Sequence, residues 1–245
     1  MRNTSQYKKA FSLVELSIVL IIVGLLVAGV SAGSKLIERA RISSLITKIN
    51  DVKSATTTFL AAYEEPPADF SNRQSFWGTT NGANGDGDGL IEFFAASGVV
   101  ERNAFGDLSD ANMMSMNNSY SSDAAMEQRH IFDILNISSA NLYLDYGDVY
   151  HSSSAGGLSV SSTNNHIILN GASDTGMTTV NYGVLTPANA YSIDKKLDDG
   201  IPTSGKVRGL DGYVSSSYVT CDSSSTYALT TTSLACRMSF QISDN

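Results

Sequence analysis

Charge is scarce in this chain, and basic charge scarcer still. Only 16% of its 245 residues are Asp, Glu, Lys or Arg, and 24 acids outweigh 16 bases to leave a net charge of −8. An exterior of that sign repels phosphate backbones, which argues against a nucleic-acid partner, and it leaves carboxylates in excess for divalent cations. Histidine is sparse. His130, His151 and His166 stand apart, with no HExxH or other metal-ligand spacing. There is no G-x-S-x-G elbow despite the many serines, and no P-loop or G-x-G-x-x-G opens a helix, so the sequence marks no enzyme. Cysteine is limited to Cys221 and Cys236. They allow one disulfide across about 15 residues, two reduced thiols, or half a metal site that no further cysteine completes. The disulfide reading places the chain in the periplasm or outside the cell. No internal repeat is present.

What the chain has instead is one long apolar run, residues 11–34, FSLVELSIVLIIVGLLVAGVSAGS. No charge falls between Glu15 and Lys35, and the run is long enough to cross about 30 Å of hydrocarbon as a helix. It exceeds the h-region of a secretory signal, and no A-x-A-like cleavage site closes it. The polar leader before it, residues 1–10, holds Arg2, Lys8 and Lys9 and no acid. Lys35, Arg39 and Arg41 balance them on the far side, so the positive-inside count does not set orientation. Glu15 breaks the apolar pattern near the leading edge, where a carboxylate is costly. It reads either as an interfacial charge reaching headgroups or as a functional residue.

Lys8, Lys9, Phe11, Ser12, Leu13, Glu15 and Gly24 together resemble the class III signal of type IV prepilins and type II secretion pseudopilins. The match covers about a tenth of the chain. Ala10 stands where the family usually has Gly, and Ala32 where many pilins have a helix-kinking Pro. The resemblance implies cleavage by prepilin peptidase after Ala10 and N-methylation of Phe11. It makes Glu15 an assembly residue, paired with the Phe11 amine of a neighbouring subunit because the two groups sit too close to the helix start to pair well within one chain. Without Arg2, Lys8 and Lys9, the processed form has 13 bases against 24 acids, a net charge of −11.

Beyond the span, Ile42, Leu45, Ile49, Val52, Thr56, Phe59 and Tyr63 recur at three- and four-residue spacing, one stripe with only Thr56 polar. No Gly or Pro intervenes until Pro66-Pro67. The pattern predicts a helix continuing over residues 35–65, a rod of about 75 Å counted from the span, with its second half under a globular head at 66–245. This resembles the pilin plan, which implies an α+β fold: a long N-terminal helix packed on a head with an antiparallel sheet.

Residues 66–89 read as a long Gly/Asn/Asp loop anchored by Phe76 and Trp77. Within it Asn84, Asp86 and Asp88 alternate oxygen side chains, Gly89 turns the chain, and Ile91 falls where a calcium loop carries an apolar residue. The Leu90 carbonyl and Glu92 complete a possible calcium set; the twelfth place is Ala95 rather than a bidentate Glu. A solvated acidic turn is the alternative. Further on, the pattern predicts a helix at 90–100, a surface loop at 105–122 and a helix at 123–135. Strands are expected at 142–146, 166–170, 180–185, 227–230 and 238–242. A helix opens with Thr186 as N-cap and Pro187, and ends near Gly200. Its end carries Asp194, Asp198 and Asp199, read as a solvated terminus rather than a second cation site. The stretch 190–208 also resembles the C-terminal part of a group of long pilin-like proteins.

The leading functional expectation is a structural subunit, pilin or pseudopilin, whose size exceeds most major subunits of the family and favours a minor or tip-proximal role. It would be anchored in the inner membrane with a periplasmic head, and would act with other pilin or pseudopilin subunits and the assembly platform. A filament-tip binding module, using Trp77 and the tyrosines, is the alternative. A signal-anchored enzyme would have no need of Glu15 or the Lys8-Lys9-Ala10 junction.

Overall fold

The computed structural model describes residues 12–78, 84–91, 104–114, 130–131, 140–146, 164–171, 182–214 and 217–242. The chain forms two compact units, Met1–Ser43 and Ser44–Asn245. Helix α1, Leu13–Tyr63, is unbroken. Its apolar start is exposed, and among the described residues it is the one helix long and apolar enough to cross a membrane. The hydroxyls of that stretch are satisfied inside the helix: Ser17 donates to the Val14 carbonyl at 2.8 Å, and Ser31 to that of Val27 at 3.0 Å. Further along, the predicted stripe is buried at Leu45, Ile49, Val52, Thr56 and Phe59. Thr56, its polar member, returns its hydroxyl to the Val52 carbonyl at 2.9 Å.

Past α1 the segment expected to be one long loop holds a short helix, α2 (Arg73–Trp77). Aromatic edges hold the turn against α1: Phe59 meets Phe70 and Trp77 with centroids 6.0 Å apart, and Tyr63 meets Trp77 at 5.3 Å. Residues 105–122 are likewise not all loop, for α3 spans Ala104–Asp110 and buries Phe105 and Leu108. An ion pair joins the two helices. The buried Arg73 Nε bonds Asp107 Oδ1, its Nη2 reaches Asp110 Oδ2 at 2.8 Å, and Asp107 Oδ2 accepts the Ala68 N–H at 2.8 Å.

The sheet has six antiparallel strands in the order β1 (His130–Ile131), β2 (Ala140–Tyr146), β3 (Asn165–Gly171), β8 (Cys236–Gln241), β4 (Val207–Val214), β5 (Ser217–Val219). Register sets Leu144, Ile167, Phe240 and Val207 in one buried row across four strands. The next row runs Leu142, Leu169, Met238 and Gly209, and the Tyr227 ring lies where a Gly209 side chain would be. A second pair, β6 (Asp222–Ser223) and β7 (Thr226–Tyr227), makes a small hairpin whose turn places Ser224 and Ser225 at positive φ. Helix α4, Pro187–Leu197, packs against β4, β7 and β8. Thr186 caps it, its side chain accepting the Asn189 N–H at 3.3 Å.

Several expectations are corrected. His130 and Ile131 belong to a strand, paired with Leu142 and Asn141, not to a helix; the rest of 123–135 lies outside the described residues. Residues 182–185 make single bridges from Tyr182 to Gly171 and Tyr213, and from Leu185 to Cys236, instead of a strand. Their partners lie on three different strands, so no one ladder forms. The strand expected at 227–230 is confined to Thr226–Tyr227, because a turn follows with the Thr231 N–H on the Ala228 carbonyl at 2.8 Å. Of the helix expected at 90–100, only Leu90 and Ile91 are described.

Candidate cation site and helix start

The acidic loop closes on a residue that its own spacing does not reveal. Asp69 is fully buried, and its two carboxylate oxygens accept the N–H groups of Gly87 and Gly89, each at 2.7 Å. Asp69, Asp86 and Asp88 bring carboxylate oxygens within 4.8 Å of one another. Burial chiefly pushes the Asp69 carboxyl up, to about 6, against the pull of the two N–H donors, and the neighbouring charges of Asp88 and Asp86 add to it. Gly85 is required here: a Cβ on it would stand 2.1 Å from the Asp69 carbonyl carbon.

The predicted ligands divide. Asp86 and Asp88 join the trio, each also bending the loop, with Asp86 Oδ1 on the Asp88 N–H at 3.2 Å and Asp88 Oδ1 on the Leu90 N–H at 2.8 Å. Asn84 turns elsewhere, its Oδ1 accepting the Gln74 N–H of α2 at 2.8 Å. Glu92 lies outside the described residues. Beside the trio a cleft of about 210 Å³ is lined by Glu64, Glu65, Asp88 and Asn165. Asn165 ties the loop to β3, accepting the Ile91 N–H at 2.8 Å and donating to the Gly89 carbonyl at 2.9 Å. A carboxylate has about four acceptor positions, so these hydrogen bonds leave oxygen available. Three hard, anionic donors, one of them buried, fit a divalent cation such as calcium.

The acids in the last turn of α4 and just beyond it are occupied differently. Asp194, expected in solvent, is fully buried and accepts the Tyr227 O–H at 2.8 Å and the Gly200 N–H at 3.1 Å. Asp198 takes the Lys206 and Val207 N–H groups; Asp199 takes the Ile201 N–H at 2.7 Å and the Ser204 hydroxyl at 2.6 Å. These side chains hold the loop that leads into β4.

Cys221 and Cys236 are joined, fixing β8 to the turn before β6. The Ser239 hydroxyl lies 3.0 Å from His166 Nδ1, but both are buried within the sheet, and burial with the Arg208 charge lowers the imidazole to about 4. That pair is sealed from any substrate-sized ligand.

At the N-terminus, Ala10 and Phe11 lie outside the described residues. Glu15 is exposed in the first turn of α1, and it has a partner inside its own chain: Oε2 accepts the Ser12 N–H at 2.9 Å. No curated protein and no solved structure matches the chain. Residues 5–31 match the prokaryotic N-terminal methylation motif. That motif overlaps the exposed apolar start of α1, so the N-terminus of this chain carries an N-terminal methylation motif and is similar to the class III signal of type IV prepilins and pseudopilins.

Proposed function

We propose that the chain is a structural subunit, a minor pilin or pseudopilin, that prepilin peptidase cleaves after Ala10 and that is methylated on Phe11. It is held in the inner membrane by α1 with its head in the periplasm, and it assembles with other pilin-type subunits into a type IV pilus or a type II secretion pseudopilus. The observation that carries this reading is the methylation motif at residues 5–31, which overlaps the exposed apolar start of α1. Coexpression with a prepilin peptidase, followed by intact-mass measurement, tests it. The expected product starts at methylated Phe11; retention of Met1, or a cut beyond Ala32, would overturn it.

Calcium is part of the same proposal. Asp69, Asp86 and Asp88 would hold the ion, with the Leu90 carbonyl and Glu92 as further oxygens and Asn84 reserved for α2. A tip-binding role is the second reading, and one observation favours it: Phe76, beside the half-buried Trp77, is 58% exposed on the head. Loss of adhesion or secretion by Phe76→Ser with filaments intact would support that role.

A further inference from the structure

Asn84-Gly85, Asp86-Gly87 and Asp88-Gly89 follow one another in the acidic loop. Such pairs are chemically the least durable in a polypeptide. The glycine amide nitrogen, unshielded by a side chain of its own, attacks the preceding side-chain carbonyl carbon and closes a cyclic succinimide. The new C–N bond displaces ammonia from Asn and water from Asp. Water then opens the ring at either carbonyl, leaving Asp or an isoaspartate in which the backbone runs through the side chain. This fold requires glycine at each attacking position. A Cβ on Gly85 would stand 2.1 Å from the Asp69 carbonyl carbon, and Gly87 and Gly89 have φ of +76° and +91°. A bulkier neighbour that would slow the attack is therefore excluded, and Asp86 and Asp88 are exposed to water.

The loop instead holds both reacting groups. The Gly85 N–H donates to the Phe70 carbonyl at 3.0 Å, and the Gly87 and Gly89 N–H groups donate to the two oxygens of Asp69, each at 2.7 Å. Each side chain under attack is turned to a different amide: Asn84 Oδ1 accepts from Gln74, Asp86 Oδ1 from Asp88 and Asp88 Oδ1 from Leu90. Attack needs the glycine nitrogen to shed its proton and the chain to rotate, which breaks these bonds. The arrangement recurs beyond α4 at Asp199-Gly200. There the Gly200 N–H donates to the buried Asp194 at 3.1 Å, and Asp199 Oδ1 accepts the Ile201 N–H at 2.7 Å.

We propose that the loop is a latent modification site: three adjoining succinimide-forming pairs that Asp69, together with the Phe70 carbonyl, latches shut in the folded head. When the latch opens, Asn84 becomes Asp or isoaspartate, and Asp86 and Asp88 become isoaspartates whose carboxylates no longer stand where the trio needs them. The inference depends on the amide geometry and on neither the filament nor the calcium reading.

The test ages the detergent-solubilised full chain at neutral pH in EDTA, so that bound calcium plays no part. Peptide mass mapping follows the mass gain at Asn84, and isoaspartyl methyltransferase labelling follows isoaspartate at all three pairs. In the native wild type each pair should convert at least about tenfold more slowly than in the same chain unfolded in urea, because reaction must wait for local opening. Equal rates in the two conditions overturn the latch, and this comparison needs no variant. Asp69→Asn leaves one side-chain oxygen where two each held a glycine amide. It should therefore speed isoaspartate formation about fivefold or more at Asp86 or Asp88, while Asn84, whose glycine amide is held by Phe70, keeps its native rate. No change at either Asp overturns the role of Asp69. Should the variant fail to fold, the wild-type comparison still decides the latch.

Discussion

Asp194 shows what a single buried acid does to the head. Burial chiefly lifts its carboxyl to about 6 from the ordinary 3.8; the Tyr227 and Gly200 donors pull it back, and the charges of Asp199 and Asp198 raise it further. The folded chain therefore holds this proton more tightly than the unfolded chain. The stability it contributes is complete below 3.8 and is lost as pH rises through about 6. Asp194→Asn removes the charge, keeps an oxygen for the Gly200 N–H and turns its amide N–H towards the Tyr227 hydroxyl oxygen, so it should raise the melting temperature at pH 7.5 relative to its effect at pH 4. A mutant less stable than wild type at pH 7.5 would show that the ionised form is the one the site prefers. His166 acts in the opposite direction, destabilising as pH falls from 6.5 towards 4, so the comparison is between variants at each pH. Asp194 was visible in the sequence as part of an acidic cluster but not as a buried group, because its cover, Tyr227, lies 33 residues away. Asp69 escaped for the same reason: one acid after two prolines carries no spacing signal, and only the fold brings Gly87 and Gly89 to it.

At the scale of elements, legibility follows how local the cause is. Helix α1 with its stripe, and α4 with Thr186, Pro187 and Gly200, are written in neighbouring residues and could be read directly. β4 was missed because Gly209 and Gly212 interrupt its pattern. Both are there for close approach, to the Tyr227 ring and to the Gly183 backbone, where a Cβ would come within 2.6 and 2.4 Å. α3 was missed because Asp107 at its centre reads as surface, yet it is the buried partner of Arg73. Arg73→Ala would strand that carboxylate and should cost about 3–5 kcal/mol in urea unfolding; a loss below about 1 kcal/mol would mean that water reaches Asp107. The acidic loop, tied to α2 through Asn84 and to β3 through Asn165, has its own test. Lacking a bidentate twelfth-place ligand, it should bind calcium at about 10⁻⁴–10⁻³ M. Free calcium at ten times that constant would stabilise the protein by about 1.4 kcal/mol. The detergent-solubilised chain should melt higher in millimolar calcium than in EDTA, and Asp86→Ala with Asp88→Ala should erase the difference. Identical wild-type melting in both would leave the trio as a hydrogen-bonded turn alone.

For the whole molecule, the order of the sheet matters more than its size. β8 lies between β3 and β4, so neither of those strands touches the other and each depends on the last strand to arrive. Cys236, at the start of β8, carries the disulfide as well, and Leu185 exchanges backbone hydrogen bonds with it in both directions, at 3.1 and 2.9 Å. A stop placed after Ser233 should therefore yield a head cut by protease at concentrations that spare the full chain; equal resistance would mean that the two halves of the sheet stand alone. The consequence reaches into biogenesis. In a chain made N-terminus first, α1 is complete long before Cys236–Gln241 emerges, and until then β3 and β4 lack the strand that joins them. A chain that stalls before Cys236 is left with both of those strand edges unpaired, and an unpaired edge is what a protease cuts and what another chain pairs with.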